Sequence, residues 1–293
     1  MASYDRTMRW SVPERGGPAS RANAQRNARG GDERLERWTP ARDALWAVLE
    51  RRLAPGACVA VVGAGNGHDV PLRRLAERSL RVDLIDLDAR AARGARKRLP
   101  GDLRRRVEVI REDVTAGVAD ELVRTAAAGD LPGVREAPPT PLGKGAYDLV
   151  IGDLLYSQLL YPALRDTSLP RERIGVVLAR IDRPLVASVV RRLHASVAPG
   201  RPVVHVHDPL GWWDDHVQPV TLEEILAAAE TDVDAALALV ARGHGPSACD
   251  PRAIALEQGV EVAETAFWRW PFQAGVDYLA CATVTRPQGS PLH

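Results

Sequence analysis

Cysteine is scarce in this chain: Cys58, Cys249 and Cys281 are the only thiols in 293 residues. An odd number at such wide spacing excludes a disulfide framework and matches no zinc-ligand pattern, so no metal is expected. Cys58 and Cys281 sit in apolar runs, where a buried structural role is the expectation. An excess of either charge is also missing. Lys+Arg 39 against Asp+Glu 38 leaves a formal net charge of +1, which argues against a dedicated nucleic-acid binder while leaving room for a local basic patch. No run is apolar enough to span a bilayer, and Met1-Ala2-Ser3-Tyr4-Asp5-Arg6 lacks the apolar centre of a signal peptide, so a cytoplasmic protein without a membrane partner is expected. Internal repeats are absent too. What is present, 45% hydrophobic and 26% charged residues, is ordinary for a chain that folds around its own core.

The length allows one large domain or two small ones, and the pattern favours one domain with additions. Residues 1–40 form a polar, Arg-rich arm with Gly-Gly pairs at 16 and 30, much of it expected to be mobile. Trp10 and Trp38 are costly to leave in water, so the arm reads equally as a lid over a site or as a plain tail. From Ala41, the spacing of Ala44, Leu45, Val48, Leu49 and Leu53 predicts a helix ended by Pro55-Gly56. An alternation follows: strand Cys58–Val62, helix Pro71–Arg78, strand Arg81–Ile85, helix Ala89–Leu99, strand Val107–Ile110 and helix Val118–Ala128. After a Gly/Pro-rich loop over 129–145 come strand Tyr147–Ile151, helix Leu185–Ser196 and a strand begun by Pro202–Val206. Buried apolar strands alternating with helices imply a parallel sheet covered on both faces. An insertion over about 209–259 reads as a helical cap, with a capping box at Thr221 to Glu224, and Val260–Trp270 with Tyr278–Thr285 close the chain as an antiparallel hairpin.

The first strand runs into Val61-Val62-Gly63-Ala64-Gly65-Asn66-Gly67-His68-Asp69, ahead of a helix whose N-terminal amides would face a ligand. Glycines there let a ligand lie against the turn without meeting a Cβ. The spacing is G-x-G-x-G, and His68 stands where a dinucleotide enzyme has its third glycine. The second strand ends in Asp86-Leu87-Asp88 and the third in Glu112-Asp113-Val114. A carboxylate at the second tip can accept both hydroxyls of a ribose.

These three motifs together resemble motif I and its companions in class I, Rossmann-like, S-adenosylmethionine-dependent methyltransferases, over roughly residues 57–208. The resemblance implies a three-layer αβα sheet, mostly parallel, with S-adenosyl-L-methionine as cofactor. It places Gly63, Ala64, Gly65, Asn66, Gly67 and Asp69 along the methionine part, Asp86, Leu87 and Asp88 at the ribose, Asp113 at the adenine amino group and Val114 on the adenine face. After the fourth strand, Asp153-Leu154-Leu155-Tyr156 is similar to the D/N-P-P-Y motif of amino methyltransferases without its prolines. That likeness makes Asp153 a cofactor and catalytic residue, and makes Tyr156 and Gln158 acceptor contacts.

Past the fifth strand, His205 to His216 concentrates titratable and aromatic groups. His207 or Asp208 is a candidate general base and Trp212 a candidate acceptor wall, while His205 reads better as a packed core histidine. A metal on His207, Asp208 and His216 matches no ligand spacing. Trp268 and Trp270 read as pocket wall or as one packed strand face. Methyl transfer needs alignment and proton removal, with no covalent nucleophile, and the chain offers no Ser-His-Asp or Cys-His set. The expectation is methyl transfer to nitrogen or oxygen of a small-molecule acceptor. Open alternatives are an RNA or protein methyltransferase anchored by the basic arm, an aminopropyltransferase, and a non-catalytic cofactor-binding protein. Oligomeric state stays open, a homodimer included.

Overall fold

The computed structural model describes residues 16–29, 31, 33–134, 139–245 and 250–287. Trp10, Gly30 and Cys249 lie outside them. Seven strands form one sheet: Cys58–Val62 (β1), Arg81–Asp86 (β2), Val107–Arg111 (β3), Leu149–Asp153 (β4), Val203–Trp212 (β5), Glu261–Gln273 (β6) and Val276–Arg286 (β7). Their order is β3-β2-β1-β4-β5-β7-β6. The first five run parallel, and β7 lies antiparallel between β5 and β6. This is the three-layer sheet with an antiparallel terminal hairpin that the sequence predicts.

Twelve helices accompany it among the described residues: Pro18–Ala28 (α1), Glu33–Arg37 (α2), Thr39–Glu50 (α3), Leu72–Arg78 (α4), Ala89–Lys97 (α5), Gly101–Arg104 (α6), Val118–Ala127 (α7), Tyr161–Arg165 (α8), Arg171–Ser196 (α9), Leu222–Ala229 (α10), Val233–Val240 (α11) and Pro251–Glu257 (α12). Alternate residues of β1 serve opposite cores. Val59 and Val61 pack with Leu45, Val48 and Leu49 of α3 and with α4 and α5, whereas Ala60 and Val62 face α7, α8 and α9. Full burial of each such aliphatic side chain stabilises by about 1.5–3 kcal/mol, which is why β1 is apolar throughout. The cap has its own small core, in which Leu222, Ile225 and Ala236 close on Leu210 and Leu279. Its capping box forms as expected, Thr221 and Glu224 each holding the other's backbone amide. Helix α12 instead packs Ile254 and Ala255 into the core shared with α9.

Two elements differ from the sequence expectation. The helix expected from Leu185 spans 26 residues, because Pro184 is accommodated inside α9 rather than ending an element. The arm expected to be largely mobile carries two helices, Pro18–Ala28 and Glu33–Arg37: α1 and α2 cover the carboxyl ends of the central strands, with Ala22 buried. The strand order reverses between β1 and β4, and the crevice at such a switch point is where open α/β sheets take ligands. Among the described residues no helix is long and apolar enough to cross a membrane.

Candidate functional site

A cavity of about 470 Å³ opens at that switch point. Its floor is the bend after β1. Gly63 adopts φ +81°, and a Cβ there would come within 2.9 Å of the Asp153 carbonyl oxygen. Any other residue would therefore have to displace the Asp153 peptide at the end of β4. Opposite Gly63, Leu154 holds φ +46°, a left-handed conformation that costs a non-glycine residue about 1–2 kcal/mol. The strain sits at the end of β4, where the Asp153 peptide faces the bend. Helix α4 begins only at Leu72, so His68 to Pro71 intervene, and it is the loop rather than the helix end that meets the cavity.

The Gly65 amide donates to Asp86 Oδ2 at 2.8 Å, and the Asp88 amide to Asp86 Oδ1 at 2.7 Å. Asp86 is only 6% exposed, and burial raises its pKa against these two amides. Asp88 does not face the same ligand volume: it caps α5, accepting from the Arg90 and Ala91 amides. That departs from its expected part in holding ribose. Asp113 also works locally, one oxygen taking the Thr115 amide and hydroxyl and the other the Gly117 amide. Leu87, Asp113 and Val114 nevertheless line the cavity wall beside Asp86.

At the far end, the carboxyls of Asp69 and Asp153 stand close enough to act on each other's ionisation. Burial pushes Asp69 up to about 6, and burial together with the charge of Asp69 holds Asp153 well above the carboxylate range. Asp153 is 3% exposed, and its Oδ1 has no hydrogen-bond partner among the described residues. Two acids and a buried oxygen with spare acceptor capacity suit a cationic ligand.

The roof was not foreseen residue by residue. Asn23 and Asn27 of α1 donate to Asp86 Oδ1 (2.9 Å) and Asp88 Oδ2 (3.1 Å), and Asn66 donates to the Asn27 carbonyl (2.8 Å). Arg26 and Arg34 line the same cavity. The Arg34 guanidinium lies over the rings of Trp38 and Phe272. Trp38 packs edge-on against Trp270 and donates its Nε1 to the Phe272 carbonyl. Trp268 and Trp270 are both buried and share the apolar face that meets α3, with Trp270 also reaching the cavity.

Tyr156 corrects the motif analogy. It is 2% exposed and its hydroxyl lies 2.6 Å from His205 Nδ1, within a buried chain through His194 and Thr285. Its ring therefore stays out of the cofactor cavity and instead borders a second cavity beside Ser157 and Asp208. Without the two prolines, the segment after Asp153 turns into a short 3-10 helix over Tyr156–Gln158, and Gln158 does reach the cavity. His205 is the packed core histidine expected, kept neutral by burial. Trp212 is likewise displaced from its expected place: its Nε1 donates to the Val220 carbonyl and its ring packs in the cap core.

The second cavity, about 420 Å³, lies between the strand tips and α11, lined by Ser157, His207, Asp208, Val240, Asp250 and Arg252 among others. His207 stands 3.6 Å from Asp250, but burial lowers its pKa. Asp208 accepts from the Ser157 hydroxyl at 3.1 Å, and burial pushes it up to about 6 against the pull of that bond and of Arg26. A carboxylate near that value is suited to taking a proton near neutral pH. His216 stacks on Trp213 and bonds to Gln218, and no group of three His, Cys, Asp or Glu among the described residues is placed to hold a metal.

No known family profile matches the chain, and no curated protein matches it in sequence. Solved structures similar in course include the N-methyltransferase NodS of Bradyrhizobium japonicum WM9 with S-adenosyl-L-homocysteine, at 13% identity and TM-score 0.48 over 92% of this chain and 100% of that one. A putative methyltransferase of Bacillus halodurans C-125 is similar at 13% identity and TM-score 0.47 over 84% and 99%. The magnesium protoporphyrin IX methyltransferase of Synechocystis PCC 6803 with bound SAM is similar at 14% identity and TM-score 0.43 over 90% of each chain. At identities and superpositions this low, the functional reading comes from the chain's own residues.

Proposed function

We propose that this protein is an S-adenosylmethionine-dependent methyltransferase acting on nitrogen or oxygen of a small acceptor. One observation carries the reading: a single cavity runs from Asp86 at the tip of β2, over the glycine bend after β1, to the acid pair at the tip of β4. Its polar and acidic lining suits a nucleoside joined to a charged tail. Asp86, already oriented by the amides of Gly65 and Asp88, would hold the ribose hydroxyls. Leu87 and Val114 would flank the base, and Asp113 Oδ2 keeps acceptor capacity for its amino edge. The Asp69–Asp153 pair would take the ammonium of the tail, which relieves the conflict between two buried acids. Arg34 would take the tail's carboxylate.

The cofactor supplies an electrophilic methyl on a sulfonium. What remains for the protein is to align the nucleophile, exclude water and receive a proton. Helices α1 and α2 provide the cover, and Asp208, in the neighbouring cavity beyond Tyr156 and Ser157, is the proton acceptor best matched to that work. Calorimetric titration of the full chain tests the reading. S-adenosylhomocysteine should bind one to one and NADH should not; NADH binding with S-adenosylhomocysteine ignored would end it.

A further inference from the structure

The chain between β4 and α8 walls two cavities at once. Leu155, Gln158 and Leu159 line the cofactor cavity, whereas Tyr156 and Ser157 line the second. The wall is therefore one turn of chain, with the successive residues Ser157 and Gln158 facing opposite sides. Asp153 pairs with Val206 in the sheet, so His207 and Asp208 follow directly beyond the tip of β4. The Ser157 hydroxyl, donating to Asp208 Oδ2 at 3.1 Å, holds that carboxylate against the shared wall.

The second cavity is two-sided in chemistry. Leu210, Leu237, Val240 and Phe267 make one side apolar, and Val240 and Phe267 are only partly covered by the cap core. Apolar surface is thus left for a ligand to bury. The other side carries Asp208, Asp250, His207 and Arg252. Asp250 caps α12, its Oδ1 taking the Arg252 amide at 2.8 Å, and stands 3.6 Å from His207 Nε2. Burial lowers the His207 pKa, which keeps the imidazole neutral. Two carboxylates against one guanidinium leave an excess negative charge. Asp208 carries it, since its carboxylate is in no ion pair among the described residues and its bond from Ser157 falls on Oδ2, leaving Oδ1 for a ligand. A half-buried carboxylate without a cation is costly, and an ammonium group brings both the charge and three N–H donors. A volume of about 420 Å³ is that of a small-molecule pocket.

We propose, on the methyltransferase reading, that the second cavity is the acceptor site and that it takes a primary or secondary amine carried on an apolar body. The apolar side covers the body, and Asp208 and Asp250 draw the ammonium to the wall shared with the cofactor. There the ammonium gives a proton to the Asp208 carboxylate. The freed lone pair on nitrogen then forms the N–C bond as the C–S bond of the sulfonium breaks, its electron pair staying on sulfur. Asp208 afterwards releases the proton to water.

The test uses the full chain with labelled S-adenosylmethionine and, as probes, 2-phenylethylamine, tryptamine and hexylamine against the alcohols and carboxylates of the same skeletons, with ethanolamine as an amine lacking an apolar body. At least one of the three amines should be methylated on nitrogen, with kcat/KM about tenfold or more above its alcohol, its carboxylate and ethanolamine. That amine should also bind the S-adenosylhomocysteine complex in calorimetry. Val240→Trp, which fills the apolar side, should raise KM for it about tenfold or more. Asp250→Asn should raise KM with kcat changed less, since asparagine caps a helix as well as aspartate. Both variants should bind S-adenosylhomocysteine within about twofold of the parent, which reports that they fold. Equal use of alcohols, preference for carboxylates, or amine turnover untouched by Val240→Trp overturns the proposal. So does a protein that binds S-adenosylhomocysteine and methylates none of the three amines, which leaves the cofactor assignment standing. Failure to bind S-adenosylhomocysteine at all would instead sink the methyltransferase reading and this proposal with it.

Discussion

Asn23 Nδ2 donates to Asp86 Oδ1 at 2.9 Å across 63 residues of sequence, so a helix of the N-terminal arm orients the acid at the tip of β2. Asp86 thus has a donor on three sides: Asn23 and the amides of Gly65 and Asp88. A ribose must be met by the lone pairs that remain. Asn23→Ala should weaken S-adenosylhomocysteine binding about tenfold, the worth of one hydrogen bond to a charged group, with little change in melting temperature because the site is partly exposed. Asp86→Ala should lose more, and Asn23→Ala should then add almost nothing, since the two act through one carboxylate. Calorimetry on the two single variants and the double variant decides this. Additive losses would mean that α1 covers the cofactor without orienting its partner.

The acid pair makes a prediction about stability. Asp69 and Asp153 both have folded-state pKa values raised above those of the unfolded chain. The folded protein therefore binds more protons than the unfolded one, and the associated stability is present at low pH and drains away as pH climbs through about 6 for Asp69. Asp153→Asn removes one acid at nearly constant volume. At pH of about 8 the ligand-free variant should melt roughly 2 °C above the parent, and the gap should close near pH of about 4. The same variant should bind S-adenosylhomocysteine more weakly. Equal melting at high pH would show that the pair carries no conflict of charge.

The fold was legible because hydrophobic burial dictates it. β1 and β4 are apolar on both faces, and the amphipathic α3 and α7 lie where the period puts them, although α3 ends at Glu50, short of Leu53 and Pro55. The glycine bend was legible because only glycine leaves that space beside Asp153. Helix α1 was not, since it buries a single alanine and is tied down by polar contacts of Ala19, Asn23 and Asn27 with Asp120, Asp86 and Asp88. Periodicity is blind to such contacts; the paired Asn23 and Asn27 at helical spacing were the only hint. Tyr156 misled for a related reason. A tyrosine beside an acid fits an acceptor motif and a buried hydroxyl-to-imidazole bond equally well, and only the three-dimensional position of His205 separates them.

Tyr156→Phe follows from that position. Removing the hydroxyl leaves His205 Nδ1 buried without its partner, a loss of about 1–3 kcal/mol. Denaturant unfolding should register that loss, while kcat/KM changes little. A variant with parental stability and a large fall in kcat would return the Tyr156 hydroxyl to the acceptor site.

Asp208 sets the expected pH dependence. Its pKa is raised to about 6 because burial outweighs the Ser157 hydroxyl and the Arg26 charge, both of which favour the ionised form. As the general base it must be ionised, so kcat/KM should fall as pH drops below about 6. Ser157→Ala removes a hydrogen bond made to the carboxylate, which shifts its pKa further upward and moves the acid limb of the profile toward neutrality. Asp208→Asn should remove the limb altogether and lower turnover by about a hundredfold or more, with S-adenosylhomocysteine affinity retained. Rate profiles over the range from about pH 5 to about pH 9 distinguish this from a merely structural acid. A limb that Ser157→Ala leaves in place would assign the titration to another group, and Asp69, also at about 6, would be the next to replace.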